Sequence, residues 1–251
     1  MSCVKRFVWL GAIAIASIGC SLAASSLWAT EGQGVAEDVK PPIALRSDAG
    51  RQMLLESQAN KFIDLSMYFV TQDNIAYCGV ASSTMVLNAS GVDRPISSAH
   101  GTYRLWTQEN FWTLAAQKAA DRESVRRQGM TLSTLGDLLT ANGLDTELVY
   151  ADKVSMDAFR EKIVASLKDR SCYLLVNYYR AAIGQAGGGH ISPIAAYHLG
   201  SDSVLVLDVA RYRYEPVWVD IQTMWKAVSA IDPDSGHSRG LVIGKKSRSQ
   251  K

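Results

Sequence analysis

The spacing of apolar residues changes partway along the chain, and this change constrains the fold more than any other feature. Up to about residue 168, apolar side chains recur at the three-to-four-residue spacing of amphipathic helices. Beyond that point they form short, nearly continuous runs, as expected for buried strands. No repeat or internal linker is visible. The sequence therefore predicts a single α+β domain, with a helical part followed by an antiparallel sheet part.

Start and stop residues mark the predicted elements. Thr131 and Ser155 are suitable N-caps, and Asn142 with Gly143 ends the helix that Thr131 begins. Helices are predicted at 80–88, 111–122, 132–141, 156–167 and 221–230, and strands at 173–178, 194–198, 204–209, 217–219 and 241–243.

The first 29 residues have the pattern of a secretory signal peptide. Lys5 and Arg6 precede an apolar run at 7–18 that is too short for a comfortable permanent span, and small residues follow it. We expect cleavage near residues 21–23 or 27–29 and a periplasmic or secreted protein. Lipid attachment at Cys20 is the alternative. One domain is then expected at 30–244, with a solvated basic tail at 245–251.

Charge and cysteine content exclude several classes of protein. The chain has 26 Lys plus Arg and 24 Asp plus Glu, so loss of the two leader cations leaves a neutral protein, and we expect no nucleic-acid partner. Cys78 and Cys172 are the cysteines outside the leader, and neither C-x-x-C nor H-x-x-H spacing appears. No metal site or cofactor is therefore expected. A disulfide between these two cysteines is the structural alternative to free thiols.

Cys78 has the surroundings of a nucleophile. It lies at the start of a predicted helix, where free N–H groups and the helix dipole stabilise a thiolate. Gly79 allows a substrate to approach the backbone. The side-chain amide of Gln72 is a candidate second donor, beside the Cys78 N–H, for a developing oxyanion. A small buried cysteine at a helix start would give much the same pattern.

His190 and Asp208 complete a candidate catalytic triad. His190 follows a run of glycines and begins a predicted strand, and Asp208 ends another apolar strand. A buried carboxylate needs a partner, and the imidazole of His190 would satisfy it while holding the ring for proton transfer with a thiol. We therefore expect His190 to act as general base and then acid, and replacement of Asp208 by Asn to be tolerated better than loss of His190.

Several longer motifs resemble the catalytic domain of the phytochelatin synthases. The similarity runs from about Leu65 to Ile243, and Ile191 stands where that family has Phe. The motifs are Tyr77-Cys-Gly-Val-Ala-Ser82, Met85-Val-Leu-Asn88, Thr107-Gln-Glu-Asn110, Asn177-Tyr-Tyr-Arg180, Gly189-His-Ile-Ser-Pro-Ile194, Leu207-Asp-Val-Ala-Arg-Tyr212 and Pro216-Val-Trp-Val219. The resemblance implies a papain-like fold and cleavage of glutathione through a γ-glutamylcysteinyl thioester.

Glutathione is the partner that the resemblance implies. Its γ-glutamyl end carries an ammonium and a free carboxylate, so its pocket needs an acidic side chain and a guanidinium. Asp232 and Arg239 supply both within a short segment, and Arg180 is a second candidate for a substrate carboxylate. Heavy-metal ions are expected to act through glutathione thiolates. The chain ends soon after Ile243, so it resembles the short bacterial form, and hydrolysis is expected to exceed transfer to a second glutathione. A homodimer remains an alternative to a monomer.

Two other functions fit parts of this pattern. A peptidase or amidase of other γ-glutamyl or short peptides would use the same triad, because the triad alone does not define the substrate. A periplasmic thiol-binding or metal-binding protein could use the fold as a scaffold, although the four mature histidines lack ligand spacing.

Overall fold

The structure is a computed structural model and describes residues 40–246. The predicted leader, including Cys20, and the last five residues of the chain lie outside the described residues. None of the helices within 40–246 is long and apolar enough to cross a membrane. The last described residues, Lys245 and Lys246, belong to a strand, so the sheet continues past the expected domain boundary at 244.

Six helices precede the main strands. They are α1 (Asp48–Glu56), α2 (Phe62–Ser66), α3 (Cys78–Ser90), α4 (Leu114–Ala119), α5 (Arg122–Gln128) and α6 (Leu132–Ala141). The helix predicted at 111–122 is instead two short helices. Thr113 caps α4 and Asp121 caps α5, and the intervening Ala120 is extended. The carboxylate of Asp121 accepts from the Ser124 N–H, which favours a new helix start over continuation of the old one.

The two later helices follow the sequence prediction closely. Helix α7 (Met156–Lys168) begins after the N-cap Ser155, whose hydroxyl accepts from the Ala158 N–H. Helix α8 (Ile221–Ser229) begins after Asp220, whose carboxylate accepts from the Thr223 N–H. Both are amphipathic and turn their apolar sides towards the sheet.

A single antiparallel sheet of eight strands forms the centre of the domain. The strands are β1 (Ile43–Ala44), β2 (Ala59–Asn60), β3 (Leu144–Tyr150), β4 (Cys172–Tyr179), β5 (Gly189–His198), β6 (Ser203–Val206), β7 (Val217–Asp220) and β8 (Gly240–Lys246). Their order is β1-β7-β6-β5-β4-β8-β3, with β2 added to β5. The predicted α+β class is confirmed. Strand β3 was missed because its first half carries three consecutive polar residues at 145–147, and β1 and β2 are only two residues long.

Both faces of the sheet are covered, which explains why its strands are nearly continuous apolar runs. Along β4, Tyr173 and Leu175 pack with α3 and α6, whereas Leu174 and Val176 pack with α7 and α8. The helices therefore lie on two sides of the sheet rather than in one separate helical part. This arrangement fixes β4 and β5 between two apolar layers.

We expect the layer that contains α7 to contribute strongly to stability. Phe159 on α7 is fully buried and packs edge-on against Trp225 of α8. Phe159→Ala should lower the free energy of unfolding by about 3–5 kcal/mol, because it removes apolar contacts and leaves a cavity. Urea-induced unfolding of the two proteins measures the difference. Tyr103→Ala, which removes an exposed aromatic ring, should change stability by less than about 0.5 kcal/mol. Equal losses for the two variants would contradict this account of the core.

Candidate active site

Cys78 is the first residue of α3, and its backbone surroundings favour a thiolate. The N-cap residue, Tyr77, makes no side-chain capping bond, so the N–H groups of the first turn are not used by a cap. A methyl group on Gly79 would come within 2.6 Å of the sulfur of Met130. Glycine at this position therefore lets Met130 pack directly over the start of the helix, beside the nucleophile.

His190 is held on β5 next to this helix start. It pairs with Tyr178 of β4, and its ring contacts the Tyr178 ring edge-on with centroids 5.7 Å apart. The next residue, Ile191, accepts a hydrogen bond from Ser82 of α3 at 3.0 Å, which ties the helix to the strand. Cys78 and His190 therefore line the same cleft, close enough for each to shift the pKa of the other.

The two groups shift each other's protonation towards an ion pair. Burial opposes ionisation of Cys78, but the charge of His190, the hydrogen bond with its ring and backbone N–H groups outweigh it and lower the pKa of the thiol. Burial also opposes a charged His190, but the negative charges of Cys78 and Asp208 raise the pKa of the imidazole. Both shifts act in the direction of a thiolate beside an imidazolium.

Asp208 lies just beyond the end of β6 and is completely buried. Its Oδ1 lies 3.0 Å from Nε2 of His190 and accepts from the Ala210 N–H at 2.8 Å. The Tyr178 hydroxyl lies 3.3 Å from Oδ2. Burial alone would raise the pKa of Asp208, but His190 and Arg180 hold it well below its usual range. The carboxylate thus lies in ion-pair contact with Nε2, without hydrogen-bond geometry, and Nδ1 is the ring nitrogen that does not face Asp208.

Arg180 is placed differently from the sequence prediction. Its guanidinium makes two hydrogen bonds to Asp208, at 2.7 and 2.9 Å, and a third to Gln185. It is 4% exposed and stacks near the Tyr214 ring. The structure thus puts Arg180 behind the carboxylate of the triad rather than in the substrate cleft. The predicted contact with a substrate carboxylate is corrected accordingly, because the guanidinium faces are already occupied.

Gln72 lies in the loop before α3 and is buried. Its backbone N–H donates to the Val209 carbonyl, which joins this loop to the segment that carries Asp208. Its side-chain amide donates to the Asn74 carbonyl at 2.7 Å, and its Oε1 has no hydrogen-bond partner among the described residues. Gln72 is not among the residues that line the cleft at Cys78, and its role as oxyanion donor stays a prediction.

A cleft of about 310 Å³ opens at the Cys78–His190 pair. Asp232 and Arg239 line it, as the sequence predicted for a pocket with an acid and a forked base. Arg239 donates to Asn177 at 2.7 Å and lies 3.5 Å from Asp232. Its Nε is buried and has no partner within residues 40–246. The guanidinium packs on Gly189, where a methyl group would come within 2.4 Å of it.

Some functional positions were not identified from the sequence. Tyr178 supports Asp208, Asn177 fixes Arg239, and Met130 and Arg127 form one wall of the cleft. Asn177 and Tyr178 stand in an apolar strand and were read as part of the sheet. A polar residue within such a run is a usable indication of a buried contact.

The two cysteines outside the leader are free and lie in opposite environments. Cys172 begins β4, six residues before Tyr178, so the two thiols are about 20 Å apart along the sheet, far beyond disulfide range. Burial and then the nearby Asp169 carboxylate raise the pKa of Cys172. Among residues 40–246, no three His, Cys, Asp or Glu side chains are grouped closely enough to hold a metal ion.

Several known proteins are similar in sequence to this chain over most of the described region. A sequence model of phytochelatin synthase matches residues 38–241. A glutathione gamma-glutamylcysteinyltransferase 1 from Lotus japonicus is 34% identical over 207 residues, which is 81% of this chain and 40% of the relative. Glutathione gamma-glutamylcysteinyltransferase 1 from Arabidopsis thaliana is 32% identical over 208 residues, 42% of its length.

A fungal relative shows the same relationship. The glutathione gamma-glutamylcysteinyltransferase of Schizosaccharomyces pombe is 30% identical over 208 residues, covering 81% of this chain and 49% of the relative. This chain therefore matches less than half the length of each of these three relatives. The matched region includes the helix of Cys78, the strand of His190 and the segment of Asp208. The chain belongs to the phytochelatin synthase family.

Proposed function

We propose that this chain cleaves glutathione to γ-glutamylcysteine and glycine through a thioester on Cys78. The observation that carries the proposal is the cleft itself, because Cys78, His190, Asp232 and Arg239 all line it. The relatives named above are glutathione gamma-glutamylcysteinyltransferases, which supports glutathione as the substrate.

The far end of the cleft suits the γ-glutamyl group. That group carries an ammonium and a carboxylate on one carbon. The carboxylate would accept hydrogen bonds from the Arg239 guanidinium, whose buried Nε has no other partner among the described residues. The ammonium would pair with the Asp232 carboxylate, which is 5% exposed and faces the cleft. Both charged groups of the γ-glutamyl end contribute to binding in this arrangement, so a glutathione derivative with a blocked α-amine should bind more weakly.

The chemical step follows from the protonation of the pair. The Cys78 thiolate attacks the carbonyl carbon of the cysteinyl–glycine amide, and the carbonyl oxygen becomes an oxyanion. The Cys78 N–H and the Gln72 side chain are the proposed donors to that oxygen. The intermediate collapses as Nδ1 of His190 gives its proton to the glycine nitrogen. Glycine leaves, and the γ-glutamylcysteinyl group remains on sulfur as a thioester.

The thioester is resolved by the reverse use of the same base. Neutral His190 takes a proton from water, or from the amine of a second glutathione, as that nucleophile attacks the acyl carbon. The Cys78 thiolate then leaves and the imidazolium is restored. Water gives γ-glutamylcysteine, and a second glutathione gives a peptide with two γ-glutamylcysteine units. Heavy-metal ions would enter as complexes with glutathione thiolates rather than through a site on the protein.

We place this activity outside the cytoplasm. The support is the leader-like pattern of the first 29 residues, with Cys20 as the alternative point of lipid attachment. A homodimer remains an alternative to a monomer, and the chemistry described above uses groups of one chain only.

Glycine release is the direct test of the proposed function. Wild-type protein with millimolar glutathione should release glycine and γ-glutamylcysteine, because Cys78, His190 and the proposed pocket residues line one cleft. Cys78→Ala should abolish release, and the matched variant Cys172→Ser should retain most of it, since the Cys172 thiol lies at the other end of β4. Mass spectrometry should find the acyl group on the peptide that contains Cys78.

Three outcomes would contradict that prediction. An acyl adduct on Cys172, or release by Cys78→Ala, would overturn the mechanism. Cleavage of other γ-glutamyl or short peptides without cleavage of glutathione would favour the peptidase alternative. Tight glutathione binding with no turnover of any of these peptides would favour a thiol-binding scaffold.

The pH dependence of Cys78 follows from its lowered pKa. Alkylation of Cys78 by iodoacetamide should have its pH midpoint below the ordinary thiol pKa, and alkylation of Cys172 should have its midpoint above it. The kcat/KM for glutathione should rise as pH rises through the Cys78 pKa. It should fall as pH rises through the raised His190 pKa, because only the imidazolium can protonate glycine. His190→Gln should move the alkylation midpoint upward, and an unchanged midpoint would contradict the ion pair.

The position of Arg180 changes the expected effect of mutations at the carboxylate. Asp208→Asn would leave Arg180 buried beside a neutral amide, and loss of one partner of a buried ion pair costs about 3–5 kcal/mol. This variant should therefore lose stability as well as activity, contrary to the milder effect expected from the sequence. Arg180→Lys keeps the charge and loses the paired hydrogen bonds, so kcat should fall about 10-fold or more with little change in KM.

Steady-state kinetics and urea unfolding together check the Arg180 prediction. Arg211→Lys is the matched control, because that arginine is exposed and packs on Phe69 away from Asp208. It should leave both kcat and KM near wild type. A raised KM with unchanged kcat in Arg180→Lys would instead mean that Arg180 binds the substrate carboxylate.

A further inference from the structure

A second polar pocket lies at the other end of β4 from the active site. It has a volume of about 670 Å³ and is formed where α2 begins, where α7 ends and where the chain enters β4. We name it the Lys61 pocket, and its polar lining consists of Gln58, Asn60, Lys61, Asp64, Lys168 and Arg170. His190 pairs with Tyr178, six residues along β4 from Cys172, so about 20 Å separate the pocket from the catalytic groups.

Lys61 is the unusual member of this pocket. It is only 4% exposed, and its ammonium makes no hydrogen bond or ion pair with any residue in 40–246. The backbone of Lys61 is fixed because its N–H donates to the Ala195 carbonyl at 2.6 Å. The ammonium lies 5.0 Å from the centre of the Tyr173 ring. A cation that has lost most of its hydration without gaining an oxygen partner is destabilised, and an anion in the pocket would offset that loss.

The nearby carboxylates do not supply such a partner. Asp169 is already bound to Lys245 at 3.1 Å and to Ser171 at 2.7 Å. Asp64 is exposed, and its contact is with the Tyr173 hydroxyl at 3.4 Å. Both attract Lys61 from a distance and raise its pKa, but burial acts more strongly and lowers it overall. The ammonium therefore remains short of a direct oxygen contact.

Two further cations face the same space. Lys168 ends α7, and Arg170 follows it before β4 begins. Neither forms an ion pair with a described residue. The Lys61 pocket thus holds three cations and one carboxylate, Asp64, which leaves two positive charges in excess. The guanidinium supplies a planar fork for two oxygens, and the ammonium of Lys61 supplies a fixed point charge.

We propose that the Lys61 pocket binds a small anion through its carboxylate or phosphate oxygens. Lys61 would contact the anion at the bottom of the pocket, and Arg170 and Lys168 would close over it from the rim. The amide of Gln58 is an additional donor at the rim. The site is separate from the catalytic cleft, and the proposal stands independently of the proposed glutathione chemistry.

Thermal unfolding of the full chain tests this site with two probe anions. Inorganic phosphate and succinate are titrated separately, with sodium chloride keeping the ionic strength constant. An anion that binds only the folded protein raises the temperature of the unfolding midpoint. At an anion concentration of about 100 times Kd, the expected rise for a chain of this size is several degrees. A shift with phosphate alone means that the pocket accepts phosphate oxygens, and a shift with succinate alone means that it accepts carboxylate oxygens. Either result, or a shift with both anions, supports the proposal.

Matched variants locate the binding. Lys61→Met keeps the aliphatic stem and removes the charge, and it should abolish the midpoint shift. Arg170→Gln changes an exposed side chain with little risk to folding, and it should weaken the apparent affinity about 10-fold or more. Lys118→Met, on the exposed side of α4, should leave the shift unchanged. Glycine release from glutathione should be retained by all three variants if that activity is present in the wild type.

Two results would overturn the proposal. One is that neither anion shifts the unfolding midpoint. The titration should reach an anion concentration on the order of 0.1 M, which is about 100 times the Kd of a site that binds at millimolar concentration. The other is a shift that persists undiminished in Lys61→Met and Arg170→Gln, because the anion would then bind in the catalytic cleft or act as a general salt. If Lys61→Met does not fold, Arg170→Gln decides between these results.

Discussion

The arrangement of the site depends on burial of one negative charge. Asp208 has no exposed surface, so its charge must be balanced by groups that are themselves held in place. Arg180 supplies two hydrogen bonds and His190 supplies one close contact from a neighbouring strand. Because each partner is buried as well, none can move without leaving a charge unpaired. The carboxylate therefore fixes the orientation of the imidazole, and the imidazole fixes the state of the thiol.

The sheet provides the rigidity that this balance needs. Tyr178, Arg180 and His190 come from β4, from the turn after it and from β5, which are covered on both faces by helices. Helix α3 is tied to β5 through Ser82, so the N–H groups of its first turn stay directed at the catalytic pair. Stability of the two apolar layers and geometry of the active site are thus parts of one packing arrangement.

The two free thiols illustrate how the environment sets reactivity. Both are cysteines in a largely apolar setting, and burial alone would raise the pKa of each. At Cys78 the imidazolium and the helix start outweigh burial, whereas at Cys172 the carboxylate of Asp169 adds to it. One strand, β4, therefore separates a thiol of lowered pKa at one end from a thiol of raised pKa and the Lys61 pocket at the other.

The amino-acid sequence by itself did not predict α1 or α2, but it determined the α+β class, the starts of α6, α7 and α8, and the Cys–His–Asp order. These depend on local periodicity, on capping residues and on the cost of burying an unpaired charge. It did not reveal β3, the split of α4 from α5, or the true partner of Arg180. Strand β3 lies at one edge of the sheet and is polar in its first half, so it lacks the apolar run of the central strands. The position of Arg180 in the sequence does not determine which of several carboxylates its guanidinium contacts in the folded chain. Only the tertiary structure, by placing Arg180 beside a carboxylate 28 positions away, decided which charge it neutralises.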